Sequence, residues 1–306
     1  MSILFDSFSE WNSALTTKGS ESWEPVLKYE IQQHRRNEEE IWARLDQAYA
    51  VMKDAVNTGL SEDMTSFSGM VNNGGKKIMG SRIHVLSPEF THLLAYTIAA
   101  KEVNSCMGKI VAAPTAGASG IMPGVLTTLD TIHQIERRTL LEGMLVAAGI
   151  ALIIERRASI AGAVGGCQAE TGTAAAMGAG AIVHILGGSF EQICESVAMT
   201  IMNMLGLICD PVAGLVELPC VKRNGSASVI AFASAQMALA GDVAVIPVDE
   251  VIDAMGEVGA SMASEYKETA LGGIANTPTA RAIEEKVLVN TAEIAQEAFG
   301  EEGDDM

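Results

Sequence analysis

Basic and aromatic residues are both scarce in this chain. Lysine and arginine together number 20 against 38 aspartates and glutamates, so the formal net charge is −18. A chain with so little positive charge has no basic patch that could displace counterions from phosphates, which excludes nucleic acid as an expected partner. Aromatic residues make up only 5% of a sequence that is 48% hydrophobic. The apolar content is therefore mostly Ala, Val, Ile, Leu and Met, which suits closely packed helices.

The sequence also lacks a disulfide pattern and a long apolar run. Its five cysteines are an odd number without the spacing of a small disulfide scaffold, and the opening MSILFDSF has no basic region typical of a signal peptide. We therefore expect a reducing, cytoplasmic setting. Two windows without charged side chains, 110–129 and 171–190, are interrupted by glycines and rich in small residues. They predict buried helices rather than membrane spans, and we expect no membrane partner.

Hydrophobic spacing predicts a mainly α fold. Ile41, Leu45, Ala48 and Met52 form one stripe of an amphipathic helix, and period-2 alternation is scarce throughout. Ser87 followed by a proline is a helix opening, with serine at the N-cap. We predict a single large helical domain with an Ala/Gly-rich buried core and a cysteine cluster site borne on loops.

Composition suggests three divisions of the chain. Residues 1–20 are rich in Ser and Thr and are expected to be loosely held, and the catalytic domain is predicted over 21–290. Residues 281–306 hold eight acids against two bases, so we predict a solvated acidic tail over 291–306.

A turn of small residues follows Pro114 and leads into an apolar helix. Such a turn leaves backbone N–H groups at the helix N-terminus directed at whatever lies in front, which suits a carboxylate or a phosphate. The alternative is an ordinary loop chosen for close helix packing, and composition leaves both open. The candidate residues are Thr115, Ala116, Gly117, Ala118, Ser119 and Gly120.

Common catalytic motifs are absent from the sequence. There is no Gly-x-Ser-x-Gly elbow, no phosphate-binding loop ending in Gly-Lys-Ser/Thr, no complete dinucleotide turn and no His-Glu-x-x-His. The five histidines are scattered, so each is expected to be structural or exposed.

Three cysteines differ from the other two. Cys106 and Cys194 lie in apolar helical stretches, where buried free thiols are common. Cys167 follows a Gly-Gly pair, and the segment between Cys209 and Cys220 holds two prolines and a glycine, so all three are predicted on turns. Three such thiolates suit an iron–sulfur cluster with one open iron, or zinc with a further ligand. Spacing alone leaves open whether they bind metal or are three structural thiols.

Three segments together resemble the α subunit of iron–sulfur-dependent L-serine dehydratase. They are PTAGASGIMPGVL at 114–126, ASIAGAVGGCQAETG at 158–172 and NMLGLICDPVAGLVELPCVKRN at 203–224. The likeness covers roughly residues 20–290 and includes GGIANTPTARAIEEK near the end.

The resemblance implies an L-serine ammonia-lyase that converts L-serine to pyruvate and ammonia. In that family pattern Cys167, Cys209 and Cys220 would ligate a [4Fe-4S] cluster whose fourth iron takes the substrate hydroxyl. The turn Thr115–Gly120 is then our candidate for the substrate carboxylate. Arg223 and Asn224 are placed either to reach that carboxylate or to brace the loop.

Two departures from the family pattern bear on its partners. Single-chain members carry a second domain with a Ser-Ser-Ser-His-Thr-like motif, and some end in a cysteine that can occupy the vacant iron; neither occurs here. We therefore expect an α–β heteromer, with or without further dimerisation. The sequence does not identify the base for the Cα proton, and the β subunit is one source for it. The isolated chain is expected to be inactive or weakly active.

Two other functions remain open at this stage. One is a related cluster lyase that acts on L-cysteine or L-threonine. The other is a non-enzymatic helical or membrane-associated subunit in which the cysteines only pack.

Overall fold

The structure is a computed structural model that describes residues 5–18 and 20–299. Within those residues there are thirteen α-helices and no β-strand, so the prediction of a mainly α, single helical domain is confirmed. The helices are α1 Phe8–Lys18, α2 Glu24–His34, α3 Glu38–Ser61, α4 Gly74–Met79, α5 Pro88–Ser105, α6 Ile121–Ile132, α7 Arg137–Arg157, α8 Gly162–Gly165, α9 Thr173–Ile185, α10 Phe190–Met204, α11 Cys220–Leu239, α12 Val248–Ser261 and α13 Pro278–Phe299. A π-helical turn, Gln168–Gly172, leads into α9, and a 3-10 turn, Ala116–Ala118, precedes α6.

Helix α9 is the centre of the core. It packs against α6, α7, α10 and α11, and all of its residues except His184 are buried. Small residues allow this close packing: a Cβ at Gly180 would lie 2.3 Å from the Cδ1 of Ile150 on α7. The predicted Ala/Gly-rich core is therefore present, and it is built around one helix.

The helix starts follow from capping residues in the sequence. The side chain of Ser87 accepts a hydrogen bond from the backbone of Phe90 and begins α5 as predicted. Ser189 and Gln192 form a reciprocal capping box at α10. These caps satisfy backbone donors that the helix itself leaves free.

The N-terminal segment differs from its prediction. Over its described part, α1 packs onto the core instead of being loosely held: Phe5, Phe8 and Trp11 are each no more than 2% exposed. The indole Nε1 of Trp11 donates to the carbonyl oxygen of Ser22 at 3.0 Å. The physical reason is that burial of a few large aromatic side chains stabilises the packing of this segment even though most residues around them are polar. The first four residues and residue 19 lie outside the description.

The C-terminal prediction is only partly covered by the structure. Helix α13 continues through Phe299, so the start of the predicted acidic tail, 291–306, is helical, and residues 300–306 lie outside the described residues. The three-part division of the chain stays a prediction. In the described ranges, none of the helices combines the length and the apolar content that crossing a membrane requires.

Candidate metal centre and substrate turn

Three separate elements bring the candidate cysteines together. Cys167 directly precedes the π-helical turn, Cys209 lies in the loop after α10, and Cys220 is the first residue of α11. All three are free and buried. The charge of Cys167 contributes to raising the pKa of both Cys209 and Cys220, which places the three thiols within electrostatic reach of one another. Cys220 directly follows the turn residues 218–219, at the point where the loop ends and α11 begins.

Gly166 sets the direction of the chain into Cys167. Its φ of +75° is a conformation that side chains with a Cβ rarely adopt. A Cβ there would also lie 2.9 Å from the carbonyl oxygen of Leu207, in the loop segment that leads to Cys209. Gln168 joins the same two segments, since its backbone N–H donates to Leu207 and its side chain accepts from Gly206, both at 2.9 Å. The turns of Cys167 and Cys209 are therefore fixed against each other by backbone contact.

We expect Gly166→Ala to lower the free energy of unfolding by about 2–3 kcal/mol, measured by urea denaturation of the metal-free chain. Of this, about 1–2 kcal/mol comes from the positive φ of the backbone and the remainder from close contacts with Met262 and the carbonyl oxygen of Leu207. The control is Gly187→Ala, since Gly187 has a φ of +81° and open space where its Cβ would lie. Equal losses in the two variants would contradict the close contact at Gly166.

Two buried cations face the thiols. The guanidinium of Arg223 pairs with Asp210, with 2.8 Å between Nη1 and Oδ1, and its charge opposes the rise that burial causes in the pKa of Cys167. Lys101 on α5 is fully buried, donates to the carbonyl oxygen of Val216 at 3.1 Å, and also bonds the Asn104 side chain. Burial lowers the pKa of Lys101 to about 8, opposed by nearby acidic groups that include the Cys220 thiol. The site therefore concentrates positive charge beside three potential thiolates.

The thiols themselves are neutral unless a metal or a cation stabilises the thiolate. Burial raises the pKa of all three, to about 12 for Cys220, where Lys101 and Arg223 work in the opposite direction. Metal coordination removes the thiol proton, and two adjacent cations offset part of the charge that results. Convergent buried thiols with cationic neighbours thus fit a cluster held by three cysteines.

Glu170 occupies the space between the cysteines and the small-residue turn. Its carboxylate would touch a Cβ at either Gly117 or Gly162, at distances of about 2.9 Å. One of its oxygens lies within 4.8 Å of both the Cys209 Sγ and a carboxylate oxygen of Glu268. Burial raises the pKa of the Glu170 carboxyl, which favours its neutral form. The carboxyl group of Glu170 therefore lies against the turn predicted to bind substrate.

Asn224 connects the turn to the metal centre. Its Nδ2 donates to the carbonyl oxygens of Gly117 and Cys220, both at 2.9 Å, and its Oδ1 accepts from the backbone N–H of Gly120 at 3.1 Å. Of the two roles considered for Asn224, the structure shows the brace. Binding of a substrate carboxylate by Asn224, by Arg223 or by the rest of the turn Thr115–Gly120 stays a prediction.

Sequence reasoning did not identify Lys101, Glu170 or Asp210 as part of this site. Lys101 is a single lysine at the end of the apolar stretch TIAAK, which is an unusual position for a charge that is not solvated. Asp210 directly follows Cys209, and Glu170 lies three residues after Cys167. For Asp210 and Glu170 the only available signal was nearness to a candidate ligand in the sequence, and the contacts of all three residues join segments far apart in the chain.

A family model described as serine dehydratase alpha chain matches residues 17–275. The chain belongs to this family. It is 42% identical over 282 residues to the L-serine dehydratase alpha chain of Peptoniphilus asaccharolyticus, covering 89% of this chain and 94% of that protein. It is 41% identical over 266 residues to a probable L-serine dehydratase alpha chain of Bacillus subtilis, covering 86% of this chain and 88% of that protein. The resemblance predicted from the sequence is confirmed.

Relatives not named as an alpha chain are longer. The L-serine dehydratase of Streptomyces coelicolor is 37% identical over 258 residues, which cover 82% of this serine dehydratase alpha-type chain but 56% of that protein. The family therefore contains proteins in which a region like this chain makes up only part of the sequence.

Proposed function

We propose that this chain is the α subunit of an iron–sulfur L-serine dehydratase that, with a β subunit, converts L-serine to pyruvate and ammonia. The observation that carries the proposal is the convergence of Cys167, Cys209 and Cys220, from three separate elements, in a member of the serine dehydratase alpha chain family. The named relatives act on L-serine, and their alpha-chain names support a partner subunit. Free buried cysteines suit a reducing cytoplasmic setting.

The three cysteines would hold a [4Fe-4S] cluster as its protein ligands. A cluster with three thiolate ligands supplies a Lewis acid at its open iron, which helps a hydroxide-like leaving group depart. Arg223 and Lys101 would offset the negative charge of the thiolates. The burial of the three sulfurs keeps bulk water away from the centre.

The substrate would lie between the cysteines and the turn 115–120. Arg223 and the backbone of the turn would offer hydrogen-bond donors for the carboxylate. Asn224 fixes the position of the turn relative to Cys220. The Glu170 carboxylate faces the same space and suits the α-ammonium group. Removal of the weakly acidic Cα proton needs a positioned base. We assign that base to the β subunit.

Anaerobic coexpression with a β partner tests this function. The purified pair is expected to be brown, to contain iron and sulfide, and to form pyruvate from L-serine faster than from L-threonine or L-cysteine. The chain without its β subunit should bind iron but show little or no activity. A colourless anaerobic pair without iron or sulfide would refute the proposal. A faster reaction with L-cysteine or L-threonine would support the proposed cluster but assign a different substrate to the enzyme.

A further inference from the structure

Asp210 uses both of its carboxylate oxygens to join two parts of the chain. Its Oδ1 pairs with Arg223 at 2.8 Å, and its Oδ2 accepts from the backbone N–H of Ile274 at 2.6 Å. The side chain is only 1% exposed, so little water competes for either contact. Arg223 belongs to α11, and Ile274 lies in the segment between α12 and α13.

That segment, residues 264–276, also contacts the neighbouring cysteine through its backbone. The N–H of Cys209 donates to the carbonyl oxygen of Tyr266, and the N–H of Glu268 donates to the carbonyl oxygen of Cys209, both at 2.8 Å. These bonds lay the segment along the Cys209 loop and bring the Glu268 carboxylate beside Glu170. Residues 264–276 therefore form one wall of the cysteine site.

Gly273 allows the carboxylate to approach this wall. Its φ is +62°, and a Cβ there would lie 2.3 Å from the Oδ2 of Asp210. Any side chain at this position would therefore displace Asp210 or the segment. A glycine is needed at this point for a steric as well as a conformational reason.

Arg223 depends on Asp210 for its orientation. The Nη1 of Arg223 donates to the carbonyl oxygen of Ile208 at 2.8 Å, and Arg223 lies one helical turn after Cys220 on α11. A largely buried guanidinium without its carboxylate carries an uncompensated charge, which favours rotation toward solvent. Loss of the Asp210 charge would then withdraw the cation from the cysteine site.

We propose that Asp210 is a positioning residue that holds Arg223 at the cysteine site and fastens residues 264–276 as a wall of that site. The cluster-related part of this inference rests on the proposed function. The fastening of the wall does not, because it concerns contacts within the polypeptide.

The test compares Asp210→Asn with Asp253→Asn, each in the anaerobic α–β complex. Asp253 is a suitable control because it pairs with Arg157 at 2.6 Å but is more than half exposed. We expect Asp210→Asn to lose visible cluster absorbance at least about tenfold faster in the presence of a chelator, as for other residues that orient metal ligands. Its KM for L-serine should rise more than its kcat falls, and Asp253→Asn should match the wild type in both.

Hydrogen exchange separates the inference from the proposed function, because it needs neither iron nor serine. In the metal-free chain, Asp210→Asn and Gly273→Ala should each speed amide exchange in residues 264–276 by at least about tenfold, while α9 keeps its protection. Unchanged exchange in both variants would overturn the fastening of the wall. Unchanged cluster lifetime and KM in Asp210→Asn, with an active wild type, would overturn the positioning of Arg223. An inactive, iron-free wild type would instead refute the proposed function and the cluster part of the inference.

Discussion

Replacing Cys209 with serine is expected to lower the rate of L-serine deamination by the α–β pair by more than about 100-fold. Changing residues that only support a metal ligand typically costs 10–100-fold, so loss of a ligand should exceed that range. The serine hydroxyl has a much higher pKa than a thiol and is a poor ligand for iron. Iron and sulfide content, visible absorbance and pyruvate formation measure the effect, and all of them should fall together.

Cys194→Ser is the matched control for this change. Cys194 is a free thiol on α10 with a pKa raised to about 12 by burial, and it lies near Phe8 and Asp249, away from the three site cysteines. We expect its pyruvate formation to stay within about twofold of the wild type, since the residue does not touch the site. If Cys209→Ser behaved like this control, the cysteines would be packing residues and a non-enzymatic subunit would be the better interpretation.

Replacing Trp11 with alanine is expected to lower the free energy of unfolding by about 3–5 kcal/mol. The indole is fully buried, stacks on Phe5 at 5.0 Å between ring centroids and meets the edge of Phe190 at 5.2 Å. It also fills the space above Gly149 of α7, where a Cβ would lie 2.5 Å from the indole ring. The substitution therefore leaves a large cavity between α1, α7 and α10. Urea denaturation followed by circular dichroism measures the loss.

The control for Trp11→Ala is Ile83→Ala. Ile83 is 85% exposed, so removing its side chain should change the free energy of unfolding by no more than about 0.5 kcal/mol. A similarly small loss for Trp11→Ala would mean that α1 is loosely held, as its Ser- and Thr-rich composition suggests.

The fold class was predictable because the relevant signals are local. Caps such as Ser87 and the stripe containing Ile41 and Met52 depend on residues a few positions apart, and the structure has the corresponding helices with those two side chains buried. The packing of α1 was not predictable from average composition, since it depends on Phe8 and Trp11 alone. Two large buried side chains three residues apart determine the packing of α1 more than the polar residues around them do.

The site was predictable only in part, for a related reason. Cys167, Cys209 and Cys220 were identified because thiols are rare and the turns around them form recognisable motifs. Asp210 was not, because its role depends on a backbone N–H that lies 64 residues further along the chain. Lys101 gave a weak signal as a charge at the end of an apolar helix, but its nearness to Cys220 requires α5 and α11 to pack together. No local pattern in the sequence contains that information.

The first turn of α11 carries the thiol of Cys220, the guanidinium of Arg223 and the amide of Asn224. Positions three and four residues apart on a helix keep a fixed relation, so any tilt of α11 moves all three groups as a rigid body. Changes to the packing face of this helix would therefore move the proposed cluster ligand and the proposed substrate contacts together. The turn 115–120 is subject to the same constraint, because the side chain of Asn224 bonds both Gly117 and Cys220.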